Sequence, residues 1–295
     1  MNGLQPNFFI IGAPKCGTTS MSVYLSSHPE IIISNPKEPH YFSKDINNGG
    51  IRKMQEYLEC FSSVDKKANA IGEASTLYLY SKVAVPNILA FNKDVRFIVM
   101  LRNPKEVAYS YHQLALKIFG ETETNFETAW DYLDDRQEGK HVPAGCPDNK
   151  LICYGNIAKF GQQIEQLLSI VDHHKVHFII FEDLDKNPKK EFQSVLEFLN
   201  LDSHYQTNFV IHNPTQTINN LFVTKMINKA FGMKKAFGIT KQFGIANKIH
   251  SSNIKQGKPK LLDNQLLIKM NEFFHDDIQL LSTLLDKDFT HWLKN

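Results

Sequence analysis

Short apolar runs, separated by turn residues and helical periods, recur along the first two thirds of the sequence. Each run is almost continuously apolar, which is typical of strands covered on both faces of a parallel sheet. The predicted strands are Asn7–Gly12, Glu30–Ser34, Ala70–Glu73, Val95–Leu101 and Val176–Phe181. The pattern therefore predicts an α/β fold with a central, mainly parallel five-stranded sheet.

Helical periods follow most of these runs. The predicted helices are Thr18–Ser27, Lys82–Phe91, Pro104–Lys117, Asn156–Asp172, Pro188–Leu199 and Asp263–Leu285, the last unbroken unless Asp277 interrupts it. Two segments fit neither period, Ile118–Cys153 and His204–Lys260. They are predicted to be insertions or lids of one domain that spans residues 1–295.

Composition narrows the class of protein. With 295 residues, 42% of them hydrophobic and 22% charged, the chain can form a large core, which excludes disorder as its main state. It has no apolar stretch of about 18 residues and no secretory signal pattern, so we expect no membrane span and a cytoplasmic location. Its four cysteines form no CxxC pair, which argues against a disulfide framework and a zinc ribbon.

Charge is distributed unevenly along the chain. The formal net charge is +2, but the segment Asn213–Lys260 carries nine lysines and no Asp or Glu. Two interpretations stay open for this segment. It is either a solvated, lysine-rich surface or a flap that attracts an anionic ligand.

The turn after the first predicted strand has the chemistry of a phosphate site. It reads Gly12-Ala-Pro-Lys15-Cys-Gly17-Thr18-Thr19 and leads directly into a helix. In such a unit the backbone N–H groups and the positive end of the helix face an anion. The G-x-x-x-x-G spacing is that of the nucleotide-binding P-loop, but the expected G-K-[ST] ending is absent and the lysine stands at Lys15.

Several motifs carry a resemblance to one family. Pro14–Ser20 resembles the 5′-phosphosulfate loop of sulfotransferases that use 3′-phosphoadenosine-5′-phosphosulfate (PAPS), and Leu101–Tyr111 resembles their 3′-phosphate element. Segments similar to the heparan sulfate sulfotransferase branch are Pro36–Phe42, Gly72–Ser75, Phe181–Leu184 and Asp288–Trp292. The matches occur in the family's order over nearly the whole chain.

The resemblance implies a three-layer P-loop-type fold, PAPS as donor, 3′,5′-bisphosphoadenosine (PAP) as product, and no metal. The implied donor-binding residues are Lys15, Cys16, Gly17, Thr18, Thr19, Ser20, Arg102, Ser110 and Lys258. Arg102 also follows from its own position, because an arginine where a strand opens into a helix suits a second phosphate. Ser110 rests on the resemblance alone, and Lys258 on a loose match to a basic loop that closes over the nucleotide in relatives.

Sulfuryl transfer needs positive charge at the leaving group and a base for the acceptor's proton. Lys15 is predicted to donate to the bridging oxygen as it departs. Glu73 is the predicted base, because it ends a strand at the edge where ligands of open α/β sheets bind. Capping of the next turn is the alternative role of Glu73. His40 is the competing base, and Lys37 and His40 could instead orient the acceptor or the sulfuryl oxygens.

The leading hypothesis is an enzyme that transfers a sulfuryl group from PAPS to a hydroxyl or amino group of a small molecule, such as a natural product of the saxitoxin alkaloid type. A carbohydrate or glycan acceptor is the alternative. A P-loop kinase or NTPase is the second hypothesis, supported by the Walker-B-like run Phe178–Asp183. The third is a binding module whose lysines contact nucleic acid or a membrane. The leading hypothesis involves no nucleic acid and leaves the oligomeric state open.

Overall fold

The computed structural model describes residues 5–62, 68–209, 216–218, 254–256 and 262–294. Its strands are β1 Phe8–Gly12, β2 Ile31–Ile33, β3 Ala70–Ala74, β4 Arg96–Leu101, β5 Val176–Ile180, β6 Gln216–Ile218 and β7 Ile254–Gln256. Its α-helices are α1 Thr18–Ser26, α2 Met54–Glu59, α3 Ala84–Phe91, α4 Pro104–Ile118, α5 Phe126–Asp131, α6 Leu133–Gln137, α7 Tyr154–Ile157, α8 Phe160–Leu168, α9 Phe181–Lys186, α10 Pro188–Phe198 and α11 Asn264–Leu285. Short 3₁₀ turns lie at Asn149–Ile152, His173–Lys175 and Thr290–Leu293.

The central sheet has five strands in the order β2-β3-β1-β4-β5, and all of its pairings are parallel. This confirms the predicted α/β class and the predicted sheet. The chain builds the sheet outward from β1, first to β2 and β3 on one side and then to β4 and β5 on the other. The carboxyl end of β1 is therefore the topological switch point, where open α/β sheets form their ligand crevice.

The apolar runs form the buried middle of the domain. All residues of β1 and β3 are buried, which requires helices on both faces of the sheet and gives three layers. Gly72 in β3 allows close packing against Phe8 of β1, because a Cβ at that position would stand 2.0 Å from Phe8 Cζ. The strand pattern of the sequence thus identifies the core that holds the switch point in place.

Several element boundaries differ from the prediction, and two of the differences have a clear physical reason. The predicted strand end Phe181 is the first residue of α9, since β5 stops at Ile180. The predicted helix Asn156–Asp172 is two helices, α7 and α8. The Asp277 carboxylate explains the break, because it accepts hydrogen bonds of 2.9 Å from the N–H groups of Gly161 and Gln162 and so starts a new helix there. Asp277 does not interrupt α11, which runs through it unbroken.

The segment Ile118–Cys153 is more regular than an insertion of loops. It contains α5, α6 and a 3₁₀ turn around a buried ion pair, in which Arg136 Nη2 lies 2.8 Å from Glu121 Oε2. The Tyr154 hydroxyl donates to the same carboxylate, and Arg136 Nη1 donates to Tyr154 Oη over 3.1 Å. Such a pair is tolerated in the interior because further hydrogen bonds satisfy both groups. The role of this segment as a lid stays a prediction.

The second predicted lid, 204–260, is described only at residues 204–209 and in the short antiparallel pair of β6 and β7. Lys258 and most of the nine lysines of Asn213–Lys260 lie outside the described residues. The function of this segment therefore stays a prediction. Among the helices that the structure describes, none is both long and apolar enough to cross a membrane.

Candidate functional site

The phosphate-type loop leaves β1 at the switch point, as its sequence predicts. The Ala13 N–H donates to Met100 O of β4 over 2.7 Å, which fixes the start of the loop against the neighbouring strand. Lys15 and Gly17 have positive φ angles of 67° and 85°. Gly17 also precedes α1, which has no side-chain cap at its first turn. The loop therefore presents uncapped amides and the positive end of a helix to a ligand.

The loop packs closely on α9. A Cβ on Gly17 would stand 3.1 Å from both Phe181 Cδ2 and Leu184 Cδ2, and its φ is one that other residues rarely adopt. Thr18 and Ser20 are buried in the first turn of α1, and Thr19 is half-buried. The close packing on α9 and the positive φ both favour glycine at position 17. The packing also holds the hydroxyl-bearing first turn of α1 beside the loop.

Cys16 is fully buried between Lys15 and Gly17. Its Sγ lies 3.5 Å from Pro14 O, and burial raises the pKa of the thiol well above its ordinary value. A thiol with a raised pKa is a weak nucleophile. Its part in binding the donor, as predicted, would therefore fall to its backbone N–H.

Lys15 is partly withdrawn from solvent. Burial lowers the pKa of its ammonium, the nearby charge of Arg102 lowers it further, and Glu38 opposes both. A lysine with a lowered pKa gives up a proton, or shares one in a hydrogen bond, more readily than an exposed lysine. Lys15 is therefore suited to stabilise charge that develops on a departing oxygen.

Arg102 stands at the end of β4, between the phosphate-type loop and α4. Its Nη1 donates to Lys15 O over 3.3 Å, and its guanidinium lies 4.4 Å from the centre of the Phe181 ring. It also donates to Glu106 Oε2 from Nε at 2.8 Å and from Nη2 at 2.5 Å. The structure thus brings Arg102 to the loop, as predicted. Ser110 lies further along the same helix and is buried.

Glu38 belongs to the site, although sequence reasoning assigned it no role. Its carboxylate lies 2.5 Å from Lys37 Nζ and 3.3 Å from His40 Nε2. Burial alone would raise the pKa of Glu38, but hydrogen bonds and charge from His40 and Lys37 bring it down to about 2. The negative charge of Glu38 also raises the pKa of Lys15, against the effect of burial. The available signal was its place between the two predicted residues Lys37 and His40.

Backbone strain marks the same loops. Glu38 has a φ of 60° and His40 a φ of 51°, and Lys15 in the facing loop is left-handed as well. Non-glycine residues in this region cost free energy and persist only where the surrounding structure holds them. Such strain concentrates at functional sites, and here it falls on three charged or titratable side chains around one crevice.

Glu73 lies beneath this crevice and is completely buried. Tyr57 Oη donates to its Oε2 and Ser75 Oγ to its Oε1, each over 2.5 Å. Burial raises the pKa of Glu73, while hydrogen bonds from Ser75 and Tyr57 act in the opposite direction. Ser75 Oγ in turn accepts from the His40 N–H over 3.0 Å. Glu73 therefore supports the loop that carries His40, and its carboxylate is enclosed.

Two polar atoms beside Glu38 have no hydrogen-bond partner among the described residues. They are His40 Nδ1 and the hydroxyl of Tyr111, both buried. Burial raises the pKa of Tyr111, and the charge of Glu38 raises it further. Unpaired buried polar atoms are costly, so two of them beside one carboxylate indicate a place where a polar ligand completes the hydrogen bonding.

Replacing Tyr57 with phenylalanine should lower the free energy of unfolding by about 1–3 kcal/mol, because it removes one of the hydrogen-bond donors to a buried carboxylate. Urea denaturation measures this. Tyr41→Phe is the matched control, since Tyr41 stacks on Tyr57 with ring centres 4.7 Å apart. Equal stability of the two variants would contradict the supporting role of Glu73.

The Walker-B-like acids have structural partners. Glu182 Oε1 lies 3.4 Å from the Asn103 N–H, and Asp183 Oδ2 accepts from Lys287 Nζ over 3.0 Å. Both acids lie in α9 rather than on a strand. Among the described residues, no group of three His, Cys, Asp or Glu side chains is placed to hold a metal ion.

Comparison with known proteins identifies the family. The sulfotransferase domain model matches residues 5–289, so the chain belongs to the sulfotransferase domain family. Human carbohydrate sulfotransferase 15 is 26% identical over 253 residues, covering 66% of this chain and 44% of that protein. Human bifunctional heparan sulfate N-deacetylase/N-sulfotransferase 3 is 27% identical over 113 residues, covering 37% of this chain and 13% of that protein. The predicted resemblance to the family is confirmed.

A solved structure shares the fold. The crystal structure of a sulfotransferase from Alicyclobacillus acidocaldarius superposes with a TM-score of 0.74 at 22% identity, covering 99% of this chain and 100% of that one. This likeness confirms the α/β, P-loop-type fold predicted from the sequence. The chain spans less than half the length of the curated relatives it matches.

Proposed function

We propose that this protein transfers a sulfuryl group from PAPS to a hydroxyl or amino group of an acceptor. The observation that carries the proposal is the contact of Arg102 with Lys15 O at the switch point, which joins two anion-binding elements in one crevice. The loop and the first turn of α1 suit the 5′-phosphosulfate. Arg102, with Ser110 behind it, suits the 3′-phosphate that distinguishes PAPS from adenosine 5′-phosphosulfate.

In the proposed reaction the bond between sulfur and the bridging oxygen breaks, and a bond forms between sulfur and the acceptor atom. The leaving phosphate gains negative charge, which the Lys15 ammonium and the loop amides stabilise. The proton of the acceptor passes to a base. The residues named for these roles supply charge, position and a proton acceptor, without a metal ion.

Among the candidate bases, the geometry favours Glu38. Its side chain is 38% exposed, whereas that of His40 is 9% exposed and Glu73 is fully buried. A carboxylate with a pKa of about 2 is a weak base. The negative charge of bound PAPS would raise the pKa of Glu38 and so increase its basicity. The prediction that Glu73 is the base stays untested, and its burial gives it less access to an acceptor.

The acceptor is a separate part of the proposal. A small natural product of the saxitoxin type stays a prediction from the sequence, as does the cytoplasmic location. A glycan acceptor gains support from the carbohydrate sulfotransferase and heparan sulfate relatives. Specificity in such domains depends on the segments around the crevice, so the acceptor has to be determined experimentally.

PAP should raise the melting temperature, and 5′-AMP should raise it far less, because only PAP has the 3′-phosphate. Arg102→Ala should remove most of this difference, corresponding to about 1.5–3 kcal/mol for a charge-assisted hydrogen bond. Thermal shift with both nucleotides measures the effect. The matched control is Arg52→Ala, because Arg52 is exposed.

Two outcomes would overturn the donor assignment. One is an equal shift by PAP and 5′-AMP with the unmodified protein, which would remove the 3′-phosphate site. The other is turnover of ATP that depends on magnesium, together with no transfer of label from PAPS in a separate assay that contains chelator. That result would favour a kinase or NTPase.

A further inference from the structure

Arg102 is already paired with a carboxylate of the helix that follows it. Its Nε and Nη2 both donate to Glu106 Oε2, over 2.8 Å and 2.5 Å, and its Nη1 donates to Lys15 O over 3.3 Å. A guanidinium carries its N–H donors in a planar fork, and carboxylates and phosphates bind at the edges of that fork. Glu106 therefore occupies the Nε–Nη2 edge of Arg102, which is an edge that suits a phosphate.

This ion pair can be broken at little cost in free energy. The Glu106 side chain is 51% exposed, and exposed ion pairs contribute little to stability. Arg102 does not depend on Glu106 for its position, because its guanidinium also lies 4.4 Å from the centre of the Phe181 ring and donates to Lys15 O. The arginine is therefore held from two other sides when the carboxylate leaves.

A second position for the Glu106 carboxylate lies within the first turn of the same helix. α4 starts at Pro104 after the N-cap residue Asn103, so Glu106 is its third residue. A glutamate there can accept a hydrogen bond from the N–H of the N-cap residue, the arrangement known as a capping box. In the structure the Asn103 N–H is directed at Glu182 Oε1 over 3.4 Å, which is long for a hydrogen bond. The N-terminus of a helix also attracts negative charge, so Glu106 has a favourable place nearby when it leaves Arg102.

The charge of the ligand decides whether the carboxylate is displaced. A phosphate monoester carries about 1.5–2 negative charges at neutral pH, so it attracts Arg102 more strongly than the single charge of Glu106 does. The two anions cannot share one edge of the guanidinium, because like charges at contact distance repel each other. The 3′-hydroxyl of 5′-AMP is uncharged and leaves the ion pair intact.

We infer that Glu106 is a built-in competitor of the 3′-phosphate, which occupies the Nε–Nη2 edge of Arg102 in the free protein and returns to it when PAP leaves. Glu106 thereby lowers the affinity for PAPS and PAP and speeds the release of PAP after sulfuryl transfer. The inference rests on the proposed function, since it requires that Arg102 binds the 3′-phosphate. Glu106 is not a catalytic residue, because it acts on the donor and the product through Arg102.

The test is calorimetric titration of PAP and of 5′-AMP into the unmodified protein and into Glu106→Gln at the same ionic strength. Glutamine keeps the length of the side chain and can still accept a hydrogen bond from Arg102, but it has no charge. Glu106→Gln should bind PAP about tenfold more tightly, because both the competing ion pair and the repulsion of the phosphate are removed. Its affinity for 5′-AMP should not change. Dissociation of labelled PAP in a chase with unlabelled PAP should slow by a similar factor.

The matched control is Glu56→Gln, which should bind PAP as the unmodified protein does. Glu56 is also the third residue of its helix, α2, its side chain is also 51% exposed, and it pairs with the basic residue Lys53 over 3.1 Å. A double variant, Arg102→Ala with Glu106→Gln, should bind PAP no more tightly than Arg102→Ala alone, because Glu106 acts through Arg102. Melting temperatures without ligand show that each variant is folded.

Weaker or unchanged PAP binding by Glu106→Gln would overturn the inference, and weaker binding would show that the carboxylate positions Arg102 for the phosphate. An equal gain in the Arg102→Ala background would overturn it as well. If the unmodified protein binds PAP and 5′-AMP equally, or if Arg102→Ala binds PAP as tightly as the unmodified protein, the proposed donor site and the inference both fail. A preference for PAP that depends on Arg102, with no gain in Glu106→Gln, means that the inference alone fails.

Discussion

Replacing Lys15 with alanine should lower kcat by about 10²–10³-fold, the usual effect of removing one preorganised donor to developing charge. Lys15 has a left-handed backbone in the loop at the switch point, and burial lowers its pKa. Because the same ammonium would contact the donor before reaction, PAP affinity should fall as well. Steady-state transfer from PAPS and PAP titration measure the two effects.

The control is Lys53→Ala, since Lys53 is exposed and, within the described part of the chain, its ion pair is with Glu56. It should leave kcat and PAP affinity unchanged. A Lys15→Ala protein that keeps normal turnover would show that the loop binds phosphate without assisting departure of the leaving group. A loss of PAP affinity with unchanged kcat would lead to the same conclusion.

The phosphate-type loop and Arg102 could be located from the sequence because their chemistry is local. A strand, a glycine turn and a helix are adjacent along the chain, and the sheet order then places the loop at the switch point. Arg102 follows the last residue of β4, the strand next to β1, so parallel pairing brings it to the side of the loop where it contacts Lys15 O. These parts of the site needed no knowledge of distant contacts.

The role of Glu38 could not be predicted in the same way. Its importance depends on two left-handed residues in one loop and on a facing loop that is distant in sequence, and neither has a local signal. Glu73 shows the opposite case. A strand-end position indicated access to ligand, but Tyr57 and Ser75 approach from other elements and enclose the carboxylate.

The break between α7 and α8 also depends on a contact between residues that are distant in the sequence. The helical period continues across Ala158, so the sequence predicts one helix there. The capping carboxylate Asp277 comes from α11, more than a hundred residues later, and only tertiary structure brings it to Gly161. The helix predicted at Asp263–Leu285 agrees with α11. Its periodicity does not reveal that Asp277 accepts hydrogen bonds from the first turn of α8.

Replacing Glu38 with glutamine should lower kcat by about 10²–10⁴-fold, the usual contribution of a positioned base, with PAP affinity nearly unchanged. Glutamine keeps the size of the side chain and can still contact Lys37 and His40, but it has no basic carboxylate. Glu73→Gln and His40→Ala are the comparison variants for the two bases predicted from the sequence. We expect Glu73→Gln to lower stability and to leave kcat of the folded protein within about tenfold of normal.

The pH dependence of kcat/KM for PAPS, which reports groups of the protein before PAPS binds, separates a Glu73 base from a Glu38 base. Burial raises the pKa of Glu73, so a Glu73 base would lose activity as the pH falls through a value above the ordinary 4.5 of a glutamate. Glu38, with a pKa of about 2, stays ionised at those pH values, so activity should persist until the fold itself fails. An acid limb above 4.5 that disappears in Glu73→Gln would return the base to Glu73. A folded His40→Ala protein that binds PAP and has no turnover, beside an active Glu38→Gln protein, would assign the base to His40.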